Sequence, residues 1–88
     1  MMLTLTFDFQ QLPDRQAFYH ALTQQSHCPF AFGNNLDALW DWLTGGMALP
    51  ATLHLRHVDD SSTEFAPVVA LLEEAVAQLD GELRLVRD

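Results

Sequence analysis

The sequence predicts an α/β fold: a small three-stranded parallel sheet packed with helices, in the order β-α-α-β-α-β. Three observations predict it. Short segments of period-two alternation occur near the start, middle and end of the chain. Stretches with apolar residues three and four apart lie between them. Joining strands through helices is the pattern of a parallel sheet with crossover connections.

The first strand is read from Leu3-Thr4-Leu5-Thr6-Phe7-Asp8-Phe9, where apolar and polar residues alternate. Pro13-Asp14 opens a helix with Asp14 as its N-cap, and Ala17, Phe18, Ala21 and Leu22 fall on one face. Ser26 to Gly33 is a loop. A second helix runs from Asn34 to Thr44, with Leu36, Leu39, Trp40 and Leu43 as its apolar stripe. Asn34 or Asn35 can cap its start, and Gly45-Gly46 is expected to end it with a left-handed residue. On this stripe Trp40 belongs to the core, while Trp42 falls off it, partly exposed or packed under a loop.

Pro50 introduces a strand from Ala51 to Arg56. Asp59-Asp60-Ser61-Ser62 is a turn, and Ser61 and Glu64 have the spacing of a capping box. A long helix is expected over Ser62 to Leu79, with Phe65, Val68, Val69, Leu72, Ala75, Val76 and Leu79 inward. Pro67 requires either that it lie in the first turn or that the helix start near it. Asp80-Gly81 turns the chain into a last strand, Glu82 to Val86. No repeat, linker or low-complexity segment interrupts this series, so residues 1–88 are read as a single domain.

Composition narrows the function. Apolar residues make up 49% of the chain, enough for a core without staples. The single cysteine, Cys28, cannot form an internal disulfide, and no leader-like or membrane-spanning run is evident. A cytoplasmic protein is the expectation. Twelve Asp and Glu stand against four Arg and no Lys, a formal net charge of −8. Most carboxylates therefore lack an internal cation. Such a field disfavours nucleic acids and anionic membranes and favours a basic partner.

The second helix concentrates that charge. A turn of about 100° per residue sets Asn34, Asp37, Asp41 and Thr44 on one strip beside the apolar stripe. Asp37 and Asp41, four apart, repel by a few tenths of a kcal/mol. Neither has a cation at helical spacing. Asp37 lies in the first turn, where the helix dipole welcomes an anion; Asp41 lies too far along for that.

The run Phe32-Gly33-Asn34-Asn35-Leu36-Asp37-Ala38-Leu39-Trp40-Asp41-Trp42-Leu43-Thr44-Gly45 resembles the signature of the barstar family of ribonuclease inhibitors. The element order is similar to that family across nearly the whole chain. The resemblance implies a protein that is not an enzyme, takes no cofactor, and occupies the active site of a small basic, barnase-like ribonuclease with a loop and an acidic helix. By position it makes Asp41 the central charge contact and Asp37 its companion. Phe32, Gly33, Asn35 and Leu36 would supply loop and helix-start contacts, and Glu74 the outer acidic contact. It also implies a cis bond before Pro50. Three positions depart from the family pattern. The loop's aromatic pair reads Ala31-Phe32, the aromatic after the helix-ending glycine is Gly46, and the acidic residue two further on is Ala48.

Three rival readings stand beside this one. Asp37 and Asp41 could act as acid and base, but no nucleophile or phosphate-binding loop accompanies them. His54 and His57, with Asp59 and Asp60 nearby, offer metal-ligand types, yet residues three apart on a strand face opposite ways. The third rival is an acidic module of the same fold, an antitoxin, immunity protein or adaptor, whose target is a different basic nuclease or protein.

Overall fold

The structure, a computed structural model, describes residues 3–29, 32, 35–59 and 61–87. Strand β1 (Leu3–Asp8) leads to helix α1 (Arg15–Ser26). A short helix α2 (Leu36–Asp41) continues into a π-helical turn, Trp42–Gly46. Strand β2 (Ala51–Arg56), helix α3 (Ala66–Gln78) and strand β3 (Leu83–Arg87) follow. The three strands form one sheet in the order β1-β2-β3, and both pairings are parallel. The expected β-α-α-β-α-β arrangement is what the chain adopts.

Register explains which residues the sheet buries. Leu5 pairs with Leu53, and Leu53 with Leu85, so side chains of one parity share a face. That face supplies Leu5, Phe7, Ala51, Leu53, Leu55 and Leu83 to the core. Phe18 and Leu22 from α1, Leu39 and Leu43 from the second helical segment, and Val68, Leu72 and Ala75 from α3 complete it. On the opposite face Thr4, Thr6, Arg84 and Val86 are exposed. The β1 edge is closed by a side chain: the Thr6 N–H donates to Gln25 Oε1 at 2.9 Å, and Gln25 Nε2 donates to the Thr6 carbonyl at 2.9 Å. A carboxamide thereby stands in for one residue of a neighbouring strand.

Helix boundaries differ from the sequence reading in instructive ways. Asp14 caps α1 as expected, its Oδ1 accepting from the Ala17 N–H at 2.9 Å. The capping box does not form. The Ser61 N–H and hydroxyl both donate to Asp59 Oδ1, at 3.0 and 2.6 Å. Glu64 is used elsewhere, its Oε2 accepting from the Arg15 N–H at 3.0 Å in the first turn of α1. Helix α3 therefore starts at Ala66, later than Ser62, with Pro67 in the first turn, where its missing N–H costs nothing. The Leu49-Pro50 peptide is cis, as the resemblance implied. Asp80 and Gly81 both take positive φ (45° and 93°), which makes the turn into β3.

At the C-terminal ends of β1 and β2, His57 Nδ1 lies 2.9 Å from Asp8 Oδ1. That hydrogen bond, aided by the Gln10 N–H, holds the Asp8 carboxyl below its ordinary value of 3.8. A carboxylate depressed in the folded state stabilises it fully above the unfolded pKa. The contribution is lost as pH falls through the lower folded value. Asp8→Asn is accordingly expected to be less stable than the wild type at pH 7. The gap should close progressively below about pH 4, which urea denaturation across that range measures.

Candidate functional site

The site begins with a cap. Asn35, extended at φ −115°, accepts from the Asp37 N–H at 2.9 Å and from the Ala38 N–H at 3.4 Å. Of the two asparagines that could cap, Asn35 does so, which starts α2 at Leu36 and puts Asp37 in its first turn. Asp41 follows one turn later. Both carboxylates are exposed.

Helix α3 packs beside α2. Between them lies a shallow groove lined by Leu36, Asp37, Trp40, Pro67, Leu71 and Glu74. Leu36, Asp37 and Glu74, separated in sequence, are thus brought to one surface. Asp41 sits on the same helix as Asp37 but does not line the groove. Among the described residues, none of Asp37, Asp41 and Glu74 takes part in an ion pair. Two of the chain's four arginines pair with other carboxylates: Arg15 lies 3.6 Å from Glu64, and Arg87 lies 3.6 Å from Glu73. Two carboxylates without ion pairs, Asp37 and Glu74, thus line the groove, and a third, Asp41, lies one turn further along α2.

Two aromatic assignments need correction. Trp40, expected in the core, packs against it but is only half-buried, and its outer side forms part of the groove wall. Trp42, expected partly exposed or under a loop, is 9% exposed and belongs to the core. Trp42 lies three residues after the buried Leu39, on regular α backbone whose N–H still donates to the Ala38 carbonyl, so the two share the inner side of the helix. The segment after Asp41 widens to a π turn, closed by the Met47 N–H donating to the Trp42 carbonyl at 2.7 Å. Trp42 points inward and its Nε1–H donates to Ser26 Oγ at 2.9 Å. Trp40 is the surface residue that sequence reasoning missed. Its signal was the position one turn from both Leu36 and Thr44, on the border between the stripe and the acidic strip.

The helix end also differs from expectation. Among the described glycines only Gly81 has a positive φ, so Gly45 and Gly46 do not end the helix through a left-handed residue. Phe32 lies in the core at 4% exposure, its ring 6.1 Å from that of Tyr19, so its side chain braces the loop from beneath. Gly33, named with it as a loop contact, lies outside the described residues. Among the described residues no group of three His, Cys, Asp or Glu side chains could hold a metal. No helix among them is long and apolar enough to cross a membrane.

The family model described as Barstar (barnase inhibitor) matches residues 2–87. The chain is also similar to a protein of Bacillus subtilis (strain 168) named "Putative ribonuclease inhibitor YrdF". The two are 30% identical over 89 residues, a stretch that covers 97% of this chain and 98% of that protein.

Proposed function

The chain belongs to the barstar family, whose members are inhibitors and not enzymes, and from this premise we propose that it blocks the active site of a small basic ribonuclease. The observation that carries the reading is three exposed carboxylates without ion pairs among the described residues: Asp37 and Glu74 line a groove walled by Trp40, and Asp41 lies one turn further along the same helix as Asp37. A ribonuclease active site is built to hold phosphates, so carboxylates held on a rigid helix can take the same cationic positions. Asp41 is the central contact and Asp37 its companion, with Glu74 at the rim. Leu36 and the backbone around Asn35 and Gly33 pack against the enzyme, with Phe32 supporting the loop from below.

The mechanism is blockade by complementary charge. A net charge of −8 raises the encounter rate with a basic enzyme, and charge-assisted hydrogen bonds hold the complex once water is excluded. The chain performs no chemistry. It acts in the cytoplasm as the antidote to a nuclease that would otherwise degrade RNA there.

A second reading, a different basic nuclease toxin as target, is favoured by Gly46 and Ala31, where the family pattern has aromatic residues. Titrating the purified chain into small basic ribonucleases of the barnase type at low and at high salt separates the two. The expected result is stoichiometric inhibition with an association rate that falls steeply as salt rises. A folded chain that leaves all of these enzymes fully active would overturn the first reading in favour of the second.

A further inference from the structure

The π turn that follows the docking helix is built around one contact. A Cβ placed on Gly46 would lie 2.6 Å from Trp42 Cε3 and 2.8 Å from Cζ3. Those distances are far inside van der Waals contact, so the indole occupies the space any side chain at this position would need. Gly46 does not have a positive φ, so glycine is required here for room and not for backbone freedom. Gly45, one residue earlier, has open space where its Cβ would be.

The other edge of the same indole is anchored inside the molecule. Trp42 Nε1–H donates to Ser26 Oγ at 2.9 Å, and the Ser26 hydroxyl donates to the Leu22 carbonyl at 2.6 Å in α1. Ser26 is 5% exposed, the one buried residue of the polar and charged types among those described. A buried polar chain of this kind, fully satisfied, fixes one arrangement of the elements it joins. It fastens the turn to α1, while the Thr44 hydroxyl ties back to the Trp40 carbonyl at 2.7 Å. Asp41 immediately precedes Trp42, so the anchor fixes the helix end that carries the central carboxylate.

We infer that Trp42 is a positioning residue for the docking face, clamped between Ser26 below and Gly46 above, and that Gly46 is glycine because the clamp leaves it no space. The inference rests on the docking role proposed above for Asp41. It goes beyond that role by assigning function to two residues that need not touch the partner. It also explains the missing aromatic at position 46: an inward indole at 42 and a side chain at 46 exclude one another. The surface beside Asp41 is therefore backbone alone, and a ribonuclease that fits it brings its own side chain to that ledge.

The test uses four variants: Gly46→Ala, Trp42→Val, the two combined, and Trp42→Phe, which keeps a ring and loses the N–H. Two readouts are taken where circular dichroism shows each variant fully folded. One is amide exchange of Met47, whose N–H closes the turn, relative to Leu53 in the central strand. The other is the dissociation rate from a ribonuclease that the wild type inhibits. Gly46→Ala is expected to lower Met47 protection relative to Leu53 roughly tenfold and to speed dissociation roughly fivefold. In the Trp42→Val background, where the space is vacated, the same glycine substitution should have little further effect. Trp42→Phe should speed dissociation a few-fold with association unchanged, because no charge has moved. A merely structural role would lower the apparent association rate by the folded fraction and leave the dissociation rate unchanged.

Wild-type binding with a Gly46→Ala dissociation rate equal to the wild type's overturns the inference and leaves the docking role intact. Equal effects of Gly46→Ala in both backgrounds overturn it too. A wild type that binds no ribonuclease overturns the docking role itself, and the positioning role with it.

Discussion

Asp41→Ala is expected to weaken inhibition of a ribonuclease that the wild type blocks by roughly 150- to 5,000-fold, without loss of stability. The size follows from what the substitution leaves behind. A cation in the enzyme's cleft, buried on binding, loses its partner, and breaking one side of a buried pair costs about 3–5 kcal/mol. The stability side follows from position. Asp41 lies in the middle of the helical run from Leu36 to Gly46, beyond the first turn where the dipole favours an anion, and it stands four residues from the like charge of Asp37. It has no ion pair among the described residues. Alanine removes that repulsion, so the variant's urea midpoint should match or slightly exceed the wild type's. Asp37→Ala differs in a measurable way. It too should weaken inhibition, yet Asp37 lies in the first turn and interacts favourably with the dipole, so its loss costs a few tenths of a kcal/mol of stability. Competition titrations of ribonuclease activity, paired with urea melts of the free variants, separate these contributions.

The contrast between Asp37 and Asp41 was legible in the sequence because helix polarity and spacing are local properties. So was the sheet: alternation in Leu3–Phe9 and Ala51–Arg56 depends only on which face each side chain takes. The start of α3 was legible in part, since Pro67 demanded a place in the first turn and received it. What could not be read depended on contacts between distant segments. Glu64 has the spacing to serve its own helix, but the N–H of Arg15, 49 residues away, competes for it and wins. Trp42 turns fully inward although it lies off the apolar stripe, and Trp40, on the stripe, keeps one side in the groove; a periodic pattern announces neither. The reason lies in a three-part contact among Ser26, Trp42 and Gly46, drawn from two helical segments. The groove between α2 and α3 was invisible for the same cause. Leu36 and Glu74 are 38 positions apart, and only packing makes them neighbours.

Phe18→Ala should have the largest effect on the fold itself, lowering stability by about 3–5 kcal/mol. Phe18 is fully buried at the point where α1 meets the sheet. Its ring centroid lies 4.8 Å from that of Phe7, 5.9 Å from Phe9 and 6.1 Å from Tyr19. Phe9 in turn contacts Phe65 before α3, and Tyr19 contacts Phe32 beneath the loop. Removing the central ring therefore opens a cavity bordered by four segments, and no single neighbour can close it. Against a total of roughly 5–15 kcal/mol for a domain, and less for a short one, the loss leaves a chain marginally folded at 37 °C. At about 4–8 °C per kcal/mol, the thermal midpoint should fall by at least roughly 12 °C. Phe18→Leu keeps most of the volume and should recover more than half of that drop. The consequence for inhibition sets this core residue apart from Asp41. Near 10 °C, where the variant remains folded, its inhibition constant should equal the wild type's, because the acidic face is unchanged. As temperature rises, the apparent inhibition constant should rise in proportion to one over the folded fraction, while the dissociation rate stays that of the wild type at each temperature. An inhibition constant that changed in the cold would mean that the aromatic cluster also shapes the docking face, through Tyr19 and Phe32.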